Sequence, residues 1–317
     1  MFIDNLQFSL NATVPVVLMM IFGYICRKIN LLDDHTTAQL NKFTFRAALP
    51  ALLFNDLSTA DFSGVWDGKM VLFCIIVTLL SVGIAIIYSL FHKDKAERGE
   101  IIQAAYRSSA AILGIAFIKN IYGESTMAAM MIVGTVPIYN IIAVAVLAAT
   151  SPEKTGTDRK KLFLDTLKGI VTNPIIIGIA VGLLWSLLAL PQPVIMVKTV
   201  SYLGNMATPL SLIALGASFR TSEAGSRVKV TVGICLIKLV LLCAIFLPVA
   251  ISLGFRGEKL VAILVMLGSA TTSSCFVMAK NYGHKGAITA FSVMLTTICS
   301  AFTMTLWLFL MRTMGYI

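Results

Sequence analysis

Charge is scarce in this chain. Only 13% of its 317 residues are Asp, Glu, Lys or Arg, whereas a water-soluble domain carries roughly a quarter. Histidine is scarcer still, with His35, His92 and His284 all in predicted loops. Six cysteines lie in apolar segments without CxxC spacing, which excludes a disulfide framework and points to small buried hydrophobes. No cluster of His, Cys or carboxylates has ligand spacing, so neither a metal nor another cofactor is expected. The one dense titratable trio, Asp33-Asp34-His35, reads as a solvated helix start, and the chain is therefore not expected to be an enzyme. A cleavable signal peptide is not expected either, because Asp4 precedes the first apolar run and no basic region leads into it.

Apolar sequence is what the chain has instead. Hydrophobic residues make up 58% of it, and the mean hydropathy is +0.89. A soluble fold of this size cannot hide that much apolar surface, but a bilayer accommodates it as solvent. A spanning helix needs about 20 mostly apolar residues. Ten segments qualify: 8–26, 38–56, 69–91, 101–119, 126–149, 166–188, 197–218, 230–253, 259–280 and 286–311. With the N-terminus outside, sixteen of the 25 Lys and Arg residues fall in inner loops, six fall outside and three lie within spans. The positive-inside rule then places both termini on the extracellular side of a multi-pass cell (plasma or inner) membrane protein. The loop with Asp56, Asp61 and Asp67 is expected outside. The net charge of +10 is spread over these short loops, so a nucleic-acid partner is not expected.

The sequence repeats itself. Pro15 precedes Pro50 by 35 residues, as Pro174 precedes Pro209, and Gly23 and Gly182 each follow their proline by eight. Arg98-Gly99-Glu100 answers Arg256-Gly257-Glu258, Ser109-Ala110 answers Ser269-Ala270, and Tyr122-Gly123 answers Tyr282-Gly283. The shared order and near-constant offset divide the chain into 1–149 and 166–317, joined by a polar cytoplasmic loop at 150–165. Five spans per half is an odd number, which inverts the second half. Inverted repeats characterise many secondary transporters, whose substrate site lies where the repeats meet. The expected fold is an all-α integral membrane protein of ten transmembrane helices in two inverted five-helix repeats.

The fourth and ninth spans are unusual. Gly114 and Gly268 weaken them at mid-depth, next to Ser108 and Ser109 in one and Thr271, Thr272, Ser273 and Ser274 in the other. Hydroxyls satisfy backbone groups freed by a helix break, so both spans are expected to break and cross. Close helix packing uses the same small residues and is the competing reading. Arg107 and Arg46 lie within spans, where a charge needs a partner or a cavity; snorkelling to the interface is the alternative. Asn41 and Asn205 complete the candidate substrate contacts, whereas Lys238 in the eighth span has no assigned role. No Asp or Glu sits securely in the middle of a span, and the coupling ion, proton or sodium, stays open.

The stretch NKFTFRAALPALLFNDL at 41–57 resembles a signature of the auxin efflux carrier family, with Asn41, Phe45 and Leu49 to Phe54 matching. The paired Tyr-Gly, the ten-span plan and the short central loop resemble a prokaryotic member. The resemblance implies a scaffold of spans 1, 2, 6 and 7 and a moving transport domain of spans 3–5 and 8–10. It further implies crossing broken helices 4 and 9, an elevator-like motion, a homodimer, and a small organic anion as substrate. This sequence departs from the family pattern where Ser108 and Ser109 replace an expected Asn and Ala116 a proline, and where span nine lacks its proline. A carrier of an uncharged or amphipathic solute and a transporter-fold sensor are the alternatives. The charge pattern predicts the topology directly. On a background without native cysteines, Asp61→Cys and Ser125→Cys should label from outside, and Thr155→Cys and Ser222→Cys only from inside. Outside labelling of Thr155→Cys in intact cells contradicts this orientation.

Overall fold

A computed structural model describes residues 2–59, 66–110, 118, 121–122, 126–152, 167–219 and 224–317, and every regular element among them is helical. The first half contains α1 (Phe2–Lys28), α2 (Asp34–Phe43), α3 (Leu49–Ser58), α4 (Gly68–Leu90), α5 (Arg98–Tyr106) and α6 (Thr126–Ala149). The second contains α7 (Pro174–Leu187), α8 (Val194–Asn205), α9 (Ala207–Ala217), α10 (Ala224–Leu236), α11 (Leu242–Ser252), α12 (Gly257–Gly268), α13 (Ser274–Asn281) and α14 (Ala287–Thr313). By length and composition, five helical stretches suffice to cross a membrane: Gly68–Leu90, Met130–Ala149, Val194–Ala217, Arg227–Ser252 and Ala287–Thr313. Much of the fourth predicted span and nearly all of the 150–165 loop lie outside the described residues.

Local sequence explains the joints. Asp33 caps α2 by accepting from the Thr36 amide, and that bond holds its carboxyl below the usual range. His35 therefore lies in the first turn of α2, not in a loop. A π-helical turn at Thr44–Ala48 joins α2 to α3 just ahead of Pro50. Proline has no N–H to offer the preceding turn, and the wider turn lets the Leu49 amide reach the Thr44 carbonyl instead. A second π turn, Ile237–Leu241, joins α10 to α11 and carries Lys238.

Glycine sets the closest packing. A Cβ at Gly23 of α1 would collide with the Ile213 carbonyl of α9, and one at Gly182 of α7 would lie 2.9 Å from the Phe54 oxygen of α3. These two contacts share one offset, since Gly23 to Gly182 and Phe54 to Ile213 are each 159 positions. The Arg-Gly-Glu triplets show the same reciprocity. Glu100 accepts from the Gly286 and Thr289 amides at 2.8 and 3.1 Å, at the start of α14. Glu258 accepts from the Met127 amide at 2.9 Å, at the start of α6. Each carboxylate thus caps a helix in the other half of the chain, where orphan N–H groups and the helix dipole favour negative charge.

The ends of α4 are tied by charge. Asp67 caps its start and accepts from Lys259, which holds the carboxyl below its usual range. Past its other end, burial acts to raise the pKa of Glu97, but bonds from Arg227 and His92, each at 2.8 Å, outweigh it and lower the value. The glycine contacts generate a prediction. Gly182→Ala should destabilise the purified protein by about 1–3 kcal/mol, because an added methyl has no room. Gly83→Ala in α4, where nothing lies within 4 Å, should be neutral or slightly stabilising. Thermal unfolding in detergent compares the two, and equal effects would remove the packing argument.

Candidate functional site

Two helices stop side by side, neither at a proline. α5 ends at Tyr106, and Arg107 turns extended with φ −76° and ψ 131°. α12 ends at Gly268, and Ser269 turns extended with φ −74° and ψ 160°. The extended stretches meet where the Ser109 amide donates to the Ala270 carbonyl at 2.9 Å. Thr271 secures the break from both sides: its hydroxyl donates to the Ala104 carbonyl at 2.8 Å, and its amide donates to the Thr296 hydroxyl at 3.0 Å. A broken helix in an apolar medium must find such partners for its freed backbone groups.

Lys238 supplies the rest. Its side-chain nitrogen is fully buried and lies 2.8 Å from the Leu267 carbonyl and 3.3 Å from those of Met266 and Tyr106. Three acceptors match the three N–H donors of an ammonium. They belong to the C-terminal ends of α5 and α12, whose dipoles each present roughly half a negative charge.

Arg107 lies alongside, 2% exposed. Its guanidinium donates to Asn140 Oδ1 at 3.0 Å, Ser274 Oγ at 3.1 Å, Gln103 Oε1 at 3.4 Å and Met278 Sδ at 2.9 Å, while Nε is buried without a partner. All four acceptors are neutral, and among the described residues no carboxylate pairs with it. Ser274 opens α13, so the positive end of that helix points to the same place. The cavity here, about 60 Å³, is lined by Arg107, Ser108, Ser109, Thr272, Ser273 and Ser274 together with Leu52, Leu53, Asp56, Ile175, Thr208 and Ser211.

Of the residues singled out from sequence, six therefore gather at one cavity. Ser108 reaches the Tyr139 hydroxyl at 3.3 Å, and Ser273 reaches the Ser211 hydroxyl at 2.7 Å. Thr271 is committed to backbone instead, and Gly268 is the last helical residue before the break. Arg46 and Asn205 are exposed and do not line the cavity. Asn41 is buried away from it, with both side-chain polar atoms unpaired and its carbonyl near Asn281. Gly114 lies outside the described residues. The sequence reading missed Asn140 and Tyr139 and left Lys238 without a role, because their partners are distant in the chain. It also placed Asp56 in an outer loop, whereas α3 continues through Ser58 and brings Asp56 to the cavity.

The membrane transport protein family matches this chain over residues 8–308. The chain belongs to that family, the auxin efflux carriers. An "Uncharacterized transporter" of Methanothermobacter thermautotrophicus is 20% identical over 303 residues, covering 94% of this chain and 97% of its own. The "Uncharacterized transporter YfdV" of Escherichia coli K12 is 20% identical over 312 residues, covering 97% and 99%. A "Putative malonate transporter" of Rhizobium meliloti is 23% identical over 316 residues, covering 94% of each. Family and relatives alike are named as transporters, and the helical, apolar chain is that of a membrane protein. In this family member, Lys238→Met should cost on the order of 2–3 kcal/mol, because three buried carbonyls lose their donor. Thermal unfolding in detergent reads this, and a Met variant within ~0.5 kcal/mol of wild type would contradict the assigned role.

Proposed function

We propose that this protein is a secondary transporter of a small carboxylate-bearing organic anion, driven by a proton or sodium gradient. The observation that carries the reading is Arg107, buried, with only neutral partners among the described residues, and opening on a cavity. An intramembrane cation of this kind is a functional group by default. It complements a carboxylate through two parallel bonds, and the start of α13 adds to the positive field. The name of the Rhizobium meliloti relative, which mentions malonate, is in keeping with a carboxylate.

The proposed architecture is ten transmembrane helices in two inverted five-helix repeats, with both termini outside. The reciprocal glycine contacts and the reciprocal Glu100 and Glu258 caps support it. Helices 4 and 9 would break and cross at 107–109 and 269–272, and the transport domain would move past a dimeric scaffold in an elevator-like cycle. Arg107→Lys should keep the charge but weaken solute binding, because an ammonium lacks the planar fork. Arg107→Ala should weaken it by about 10- to 100-fold, the worth of a charged hydrogen-bond partner. Uptake of labelled carboxylates into proteoliposomes at matched reconstitution measures both. Wild-type affinity in Arg107→Ala would remove the carboxylate clamp.

A further inference from the structure

Asp56 is half-buried in α3 and lines the cavity that holds Arg107, yet among the described residues it makes no hydrogen bond and no ion pair. Its neighbours on that wall are Leu49, Leu52, Leu53 and Ile175. The site therefore has two poles, a guanidinium and a carboxylate, that share one cavity without touching each other. Charges withdrawn from water are unfavourable unless something pairs with them. A solute that satisfies both poles completes the site.

Building on the carboxylate reading of Arg107, we propose that Asp56 is a specificity-determining residue: the site takes a short monocarboxylate whose far end carries a hydrogen-bond donor, and it rejects a second negative charge. The reasons are chemical. An ionised carboxylate only accepts hydrogen bonds, so the group facing it must donate. Hydroxyl and ammonium both qualify, and an ammonium makes the stronger, charge-assisted bond. A second carboxylate at that end would face Asp56 across a poorly screened gap, where like charges repel far more than in water. Discrimination of this type is large, because a mismatched solute leaves a buried polar group unpaired. Thr208, Ser211 and Ser273 on the cavity wall are neutral and leave Asp56 to decide the sign.

Four probes of similar size separate the possibilities: propionate, 3-hydroxypropionate, β-alanine and malonate, bound to the purified protein at pH 8.5, where the Asp56 carboxyl is in its ionised form. In the wild type, 3-hydroxypropionate and β-alanine should each bind more tightly than propionate, and malonate most weakly. The order between the first two tells hydroxyl from ammonium. Asp56→Asn should shift the ratio of malonate to β-alanine affinity by on the order of 10-fold or more toward malonate. Asp56→Ser serves if the Asn variant does not fold, and the wild-type ranking needs no variant. An unchanged ratio, or wild-type preference for malonate, overturns the proposal. If propionate still binds and Arg107→Ala abolishes that binding, the carboxylate reading stands without it. Binding of none of the four overturns both.

Discussion

The structure depends on satisfying backbone groups that the ends of α5 and α12 leave free inside an apolar medium. In water, the carbonyls at the ends of α5 and α12 would be hydrated. Within a bilayer each unpaired group is unfavourable by several kcal/mol. The chain answers with groups from elsewhere in the sequence: Lys238 on three carbonyls, Thr271 on the Ala104 carbonyl, and Ser109 on the Ala270 carbonyl. Proline is one way to break a helix, by removing a donor. Here the breaks stand because the freed groups find partners.

The same arrangement sorts charge. Negative helix ends collect at Lys238, which offsets them, and the positive end of α13 adjoins Arg107, which has no negative partner among the described residues. One buried cation is thus matched by helix-end carbonyls, and the other meets only neutral partners among the described residues. The difference follows from which helix ends each meets. It explains why Lys238 is matched by three carbonyls whereas Arg107 keeps neutral partners beside a cavity, although both are basic residues within apolar sequence.

Much of this was legible in the sequence because bilayer thickness and hydropathy impose a strong one-dimensional signal. The predicted spans 69–91, 197–218 and 286–311 coincide closely with helices. The Arg-Gly-Glu echo was visible as a repeat, and its physical reason, a carboxylate reaching across to cap a helix, needed three dimensions. The hydroxyl run 271–274 was also visible, but sequence treated its members alike, whereas Thr271 faces backbone and the next three face the cavity. Arg46 and Arg107 look equivalent in a hydropathy window, and only packing puts one on the surface and the other inside. Asp56 was hidden for a related reason. A charge ends an apolar window, so the reading stopped the span where the helix continues.

The central claim is that Arg107 and the adjoining helix start form a site for a carboxylate. Thermal unfolding of the unmodified protein in detergent, titrated with propionate and in parallel with the isosteric propionamide, tests it most directly. A ligand that binds only the folded state stabilises it by about 2.7 kcal/mol at a hundredfold excess over its Kd. The account predicts a concentration-dependent rise in Tm with propionate and none with propionamide. An equal rise with both, or none with either, would contradict it.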